Sequence, residues 1–100
     1  MNQQFLNKEF KDRFSELRII INSWNLLPSA PKDEFDSLNH KILSCLFNEK
    51  DFETIQNILE SELVINYGFF RNEIGSEKFT QEIIDWWNDT YDNQNNYMNF

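Results

Sequence analysis

The sequence is short of most residues that build catalytic centres. It has one histidine, His40, and one cysteine, Cys45. A lone cysteine excludes an intramolecular disulfide and a cysteine-rich zinc site. Two glycines and two prolines are too few for a turn-rich β-sandwich or barrel, and a Gly-rich phosphate loop is absent. No apolar run approaches the roughly 18 residues of a membrane span, and no basic-then-apolar leader opens the chain. Positive charge is scarce: nine Lys and Arg face 17 Asp and Glu, for a net charge of −8. That balance repels nucleic acid and anionic membrane and attracts basic partners. The expectation is a soluble, cytoplasmic binding protein, not an enzyme, that uses no cofactor and no metal.

The 100 residues are 40% hydrophobic and include ten Phe, enough for one domain around one core. Apolar spacing marks four amphipathic helices. The first, and longest, covers roughly 3–27, with Leu6, Phe10, Phe14, Leu17, Ile21 and Trp24 on one stripe. Pro28 is its expected stop, because the residue before a proline is pushed out of the helical region. The second starts at Pro31, a favoured first helical residue, and carries Phe35, Leu38, Ile42 and Leu46 before fraying over 47–50. Asp51 is the expected N-cap of the third, which carries Phe52, Ile55, Leu59 and Leu63 and stops at Gly68. An aromatic loop over 69–75 leads to Ser76, the expected cap of a fourth helix bearing Phe79, Ile83, Trp87 and Tyr91. The fold class is therefore all-α, an irregular antiparallel bundle of about four helices. Residues 1–92 form the expected domain, and the Asn-rich 93–100 a flexible tail.

Neither potential nucleophile nor base has a catalytic setting. His40 projects about 140° from Phe35 around the second helix and faces solvent, with no Ser or Cys in a readable motif beside it. Cys45 precedes core position Leu46 and reads as a small buried thiol. A reactive cysteine needs an electropositive setting that this chain hardly offers.

The acidity is unevenly distributed. Residues 49–92 hold eleven Asp or Glu against Lys50, Arg71 and Lys78, so this half accounts for the whole net charge. Glu82, Asp85 and Asp89 share a flank of the fourth helix, and Glu53, Glu60 and Glu62 lie on the third. Such a row is either a solvated face or a docking surface for a basic partner; it lacks an EF-hand loop and the Glu/His spacing of a bundle metal site. Trp86 and Trp87 diverge by about 100°, so they either line a broad core face together or leave one ring exposed. Tyr67, Phe69 and Phe70 in the nearby loop supply further aromatic surface. Aromatic anchors with an acidic rim are a recognised interface composition. The candidate partner-binding set is therefore Glu53, Glu60, Glu62, Tyr67, Phe69, Phe70, Glu82, Asp85, Trp86 and Asp89. On the first helix, Ile19 projects about 180° from Phe10 and, with Phe5, suggests a self-association stripe and a possible homodimer.

Three stretches carry a family likeness: FLNKEFKDRFSEL at the start, DFETIQNILESEL followed by NYG in the middle, and FTQEIIDWWNDTY towards the end. Over 5–91 the chain resembles the small helical immunity proteins of bacterial polymorphic toxin systems, those of Maf and contact-dependent growth inhibition loci. The resemblance implies neutralisation of a cognate toxin domain, often a nuclease, with an EndoU-like ribonuclease as the specific expectation. It brings no catalytic residues. Two rival readings use the same acidity or shape: a phage-type anti-nuclease that mimics DNA, and a small helical dimeric adaptor.

Overall fold

Helix formation follows the apolar periodicity, and the loops follow the residues able to leave it. The computed structural model describes the backbone of residues 3–98 and the side chains of residues 8–90. Its helices are α1 (Gln3–Ser23), α2 (Asp36–Phe47), α3 (Phe52–Tyr67) and α4 (Ser76–Met98), with a 3-10 turn at Arg71–Glu73. The protein is all-α, with no strand among the described residues. Contacts divide the chain into two units, Met1–Glu49 and Lys50–Phe100, where the sequence suggests one domain over 1–92. In the first unit α1 packs on α2, and in the second α3 packs on α4.

In the first unit, Leu17 and Ile21 of α1 and Phe35, Leu38, Ile42 and Leu46 of the α2 stripe are all buried. Each such side chain contributes about 1.5–3 kcal/mol on leaving water. Phe10 and Phe14 are half-buried; Phe5 and Leu6 lie outside the described side chains. Three polar ties fix the pairing. The Asn39 amide donates to the Phe14 carbonyl at 3.0 Å. Arg18 grips the Asp36 carboxylate with two nitrogens, its Nε at 3.0 Å from Oδ1, while its guanidinium lies 5.5 Å from the Phe14 ring centroid. Asn22 donates to the Lys32 carbonyl at 3.0 Å. Partners advance along α1 as they retreat along the second segment, so the helices are antiparallel. Asn39 is a polar residue in the core that the apolar stripe does not announce.

The α1–α2 connection differs from the sequence expectation at both ends. α1 stops at Ser23 because Asn25 adopts a left-handed φ of 56°, a conformation Asn tolerates better than most residues. The Trp24 and Asn25 N–H groups donate to the Ile21 and Asn22 carbonyls, which tightens the last turn before Pro28 is reached. Beyond Pro31 the chain makes turns, with Glu34 N–H on the Pro31 carbonyl and Asp36 N–H on the Asp33 carbonyl. The α-helical spacing begins where Asn39 N–H meets the Phe35 carbonyl at 2.9 Å, and α2 therefore starts at Asp36.

In the second unit Asp51 is the N-cap, its carboxylate accepting from the Thr54 N–H at 2.9 Å. Gly68 takes φ 73°, and the Gly68 and Phe69 N–H groups close the helix onto the Val64 and Leu63 carbonyls. Ile55, Leu59, Leu63, Ile74, Thr80 and Ile83 are buried, while Phe52, Phe79 and Trp87 are half-buried. Tyr91 lies outside the described side chains. Ser76 is not the cap expected from its type. It is the first residue of α4, whose first bond runs from Phe79 N–H to the Gly75 carbonyl at 2.8 Å. α4 carries on past Asp92 to Met98, where the sequence suggests a tail; no Pro or Gly interrupts that stretch. At 23 residues it is longer than α1, at 21. Asn99 and Phe100, also assigned to the tail, lie outside the described residues.

Two consequences can be measured. Hydrogen bonds from the Thr54 side chain and N–H hold the Asp51 carboxyl below its ordinary value. Its stabilisation is therefore complete above the unfolded carboxylate value of about 3.9 and is lost as pH falls through the lower folded value. Asp51→Asn keeps a capping oxygen and should remove this part of the acid sensitivity in thermal melts below pH 4, whereas an unchanged pH profile would contradict the cap. The Thr80 hydroxyl is buried without a protein partner, so Thr80→Val should stabilise by about 1 kcal/mol. A loss of that size in denaturant titration would show that the hydroxyl is satisfied.

Candidate functional site: an acidic and aromatic surface on the second unit

All ten residues singled out by the sequence fall in the second unit, but they do not form one surface. On α4, Glu82, Asp85 and Asp89 are exposed together with Glu77, Lys78, Gln81 and Asn88. Steps of three and four along a helix place these on one outward stripe. Asp85 accepts from the Gln81 amide at 3.0 Å, a local bond that leaves the stripe open to solvent. Glu53 is exposed on the first turn of α3.

Glu60 and Glu62 serve the interior instead. Glu60 is paired with Arg71 and accepts from the Ser76 hydroxyl at 3.0 Å. Ser76 in turn accepts from the Gln56 amide at 3.2 Å, so one carboxylate ties α3 to the connecting turn and to the start of α4. Glu62 is only 9% exposed and accepts from the Asn66 amide at 2.8 Å. Where the sequence suggests two presented carboxylates, Glu62 is buried and Glu60 is engaged within its own unit: charge counting along the sequence cannot distinguish a carboxylate facing solvent from one turned to an Arg or Asn on its own unit.

The aromatic candidates separate in the same way. Trp86 and Trp87 are both half-buried, with rings 5.9 Å apart at 60°; Trp87 follows buried Ile83 by one turn, while Trp86 lies between Ile83 and the exposed Glu82 around the helix. Tyr67 and Phe69 are half-buried, but Phe70 is 72% exposed. Ile65 is 78% exposed; it sits about 200° around α3 from Leu63, a signal that the search for aromatic residues passes over. Arg71, Glu73, Ser76 and Gln56 were likewise outside the candidate set, because their roles depend on which residues the turn brings together.

The other sequence candidates lie in the first unit. His40 is exposed, as its projection predicts, with its ring 5.4 Å from Phe10. Cys45 is half-buried. Ile19 is 70% exposed; one such side chain is ordinary on a surface, and its proposed companion Phe5 is outside the described side chains. Among the described residues, no group of three or more His, Cys, Asp or Glu is placed to hold a metal ion, and no helix is long and apolar enough to cross a membrane.

The division between bracing and presented carboxylates predicts different mutational costs. Glu60→Ala strips the buried Ser76 hydroxyl and Arg71 of their acceptor and should destabilise by about 1–3 kcal/mol. Asp89→Ala should change stability by less than about 0.5 kcal/mol. Equal losses in urea denaturation would contradict the division.

Compared with known families, with curated proteins and with solved structures, the chain matches none.

Proposed function

We propose that this chain is an immunity protein that binds a cationic toxin domain in the cytoplasm and covers its active-site surface. A nuclease is the toxin class that fits best, and an EndoU-like ribonuclease is the specific form of the proposal. The observation that carries the proposal is the exposed acidic stripe of α4, Glu82, Asp85 and Asp89, on the unit that holds nearly all of the chain's net charge, ten acidic residues against three basic. A domain that cleaves RNA needs positive charge where the phosphates lie, and an acidic face complements that charge. Long-range attraction speeds the encounter, which matters when a toxin must be caught before it acts. The likeness of the three sequence stretches to helical immunity proteins supports the same reading. In this account the chain acts by binding and performs no turnover.

The gene immediately upstream should encode a toxin domain; co-expression of this chain with it should restore growth, and the two proteins should co-purify, whereas failure of both would sink the proposal. Reversing charge with Glu82→Lys, Asp85→Lys and Asp89→Lys should slow association at low salt by tenfold or more, with a smaller effect at high salt. An equal effect from reversing Glu9, Asp12 and Glu16 on α1 would displace the site from the second unit. Tight binding to several unrelated nucleic-acid enzymes would instead favour a DNA mimic.

A further inference from the structure

The turn between α3 and α4 is braced on both sides, yet it holds one of its two phenylalanine rings out in water. The Phe70 N–H donates to the Glu73 carboxylate at 2.8 Å, and the Glu73 N–H donates back to the Phe70 carbonyl at 3.0 Å. On one side of Phe70 the chain is fixed by Gly68 in its left-handed conformation and by Phe69 N–H on the Leu63 carbonyl. On the other, Arg71 is paired with Glu60, which also holds Ser76. The backbone of Phe70 is thus set by its neighbours, while its ring remains 72% exposed. A flexible loop would be free to fold that ring inward; this one displays it.

We propose that Phe70 is the apolar anchor of the toxin interface, a pre-positioned ring that enters a pocket on the cationic toxin domain. The inference rests on the immunity reading above and names the contact that would supply its affinity. Rigid aromatic anchors bind well because little ordering cost remains when they dock, and truncating such residues produces the largest losses in interfaces. Charge decides which occupant the ring receives. Phe70 belongs to a unit with ten acidic and three basic residues. A second copy of the same unit would bring like charge against like, and an anionic membrane would do the same; a cationic protein surface meets it favourably. The acidic stripe then governs the rate of encounter, and Phe70 governs how long the complex lasts.

The test is Phe70→Ala in the full chain, measured against the toxin domain encoded immediately upstream by surface-based kinetics, with sedimentation of the chain alone alongside. The expected result is an unchanged melting temperature, an off-rate raised about 30-fold or more and an on-rate within about threefold of wild type. An unchanged off-rate with wild-type binding intact overturns the anchor and leaves the immunity reading standing. Failure of the wild-type chain to bind overturns the immunity reading and the anchor with it. A concentration-dependent dimer of the wild type that Phe70→Ala dissolves also overturns the proposal, because the ring would then serve a second copy.

Discussion

The carboxylate of Glu60 sits where α3, the connecting turn and the first residue of α4 come together, pairing with Arg71 and accepting from Ser76. With Gln56 also donating to Ser76, the start of α4 is registered against the middle of α3. In that register Thr80 and Ile83 of α4 are buried, Trp86 and Trp87 half-buried, and Glu82, Asp85 and Asp89 exposed. Glu60 also fixes Arg71, next to the residue whose ring the turn displays. An ion pair with a mostly exposed Arg partner is weak in itself; its value here comes from the buried hydroxyl it shares.

The acidic residues of the second unit therefore do two different things. Glu60, Glu62, Glu73 and Asp51 satisfy donors of their own unit: a turn, an amide, a backbone N–H and a helix end. Glu53, Glu82, Asp85 and Asp89 face water. The first group holds the local structure, and the second supplies the field around it. The first unit is organised differently: its acids are balanced by bases within residues 1–48, and its main ion pair, Arg18 with Asp36, joins two helices.

Periodicity made the helices and most of the core legible in the sequence. Phe35, Leu38, Ile42 and Leu46 are all buried, and so are Ile55, Leu59 and Leu63, because an apolar stripe at helical spacing has only one inexpensive place to go. Local chemistry was legible too where a single residue dictates it, as at the Asp51 cap and at Gly68. What could not be read was any feature that depends on tertiary placement. Asn25 ends α1 ahead of Pro28, and Ser76 gives its hydroxyl to Glu60 instead of to a helix end. The carboxylates of the candidate site look alike in sequence and separate only when the turn brings Arg71 and Ser76 to one of them. The same holds for Phe70: its type suggested an interface aromatic, but its exposure on a braced backbone is a property of the fold.

The account places binding on the second unit and not the first, and backbone amide shifts of the labelled chain titrated with the upstream-encoded toxin domain test that placement most directly. Perturbations concentrated within residues 53–89, strongest around Phe70 and along the exposed stripe of α4, are the result the account predicts. Perturbations concentrated in residues 3–48, or no perturbation at saturating toxin, would contradict it.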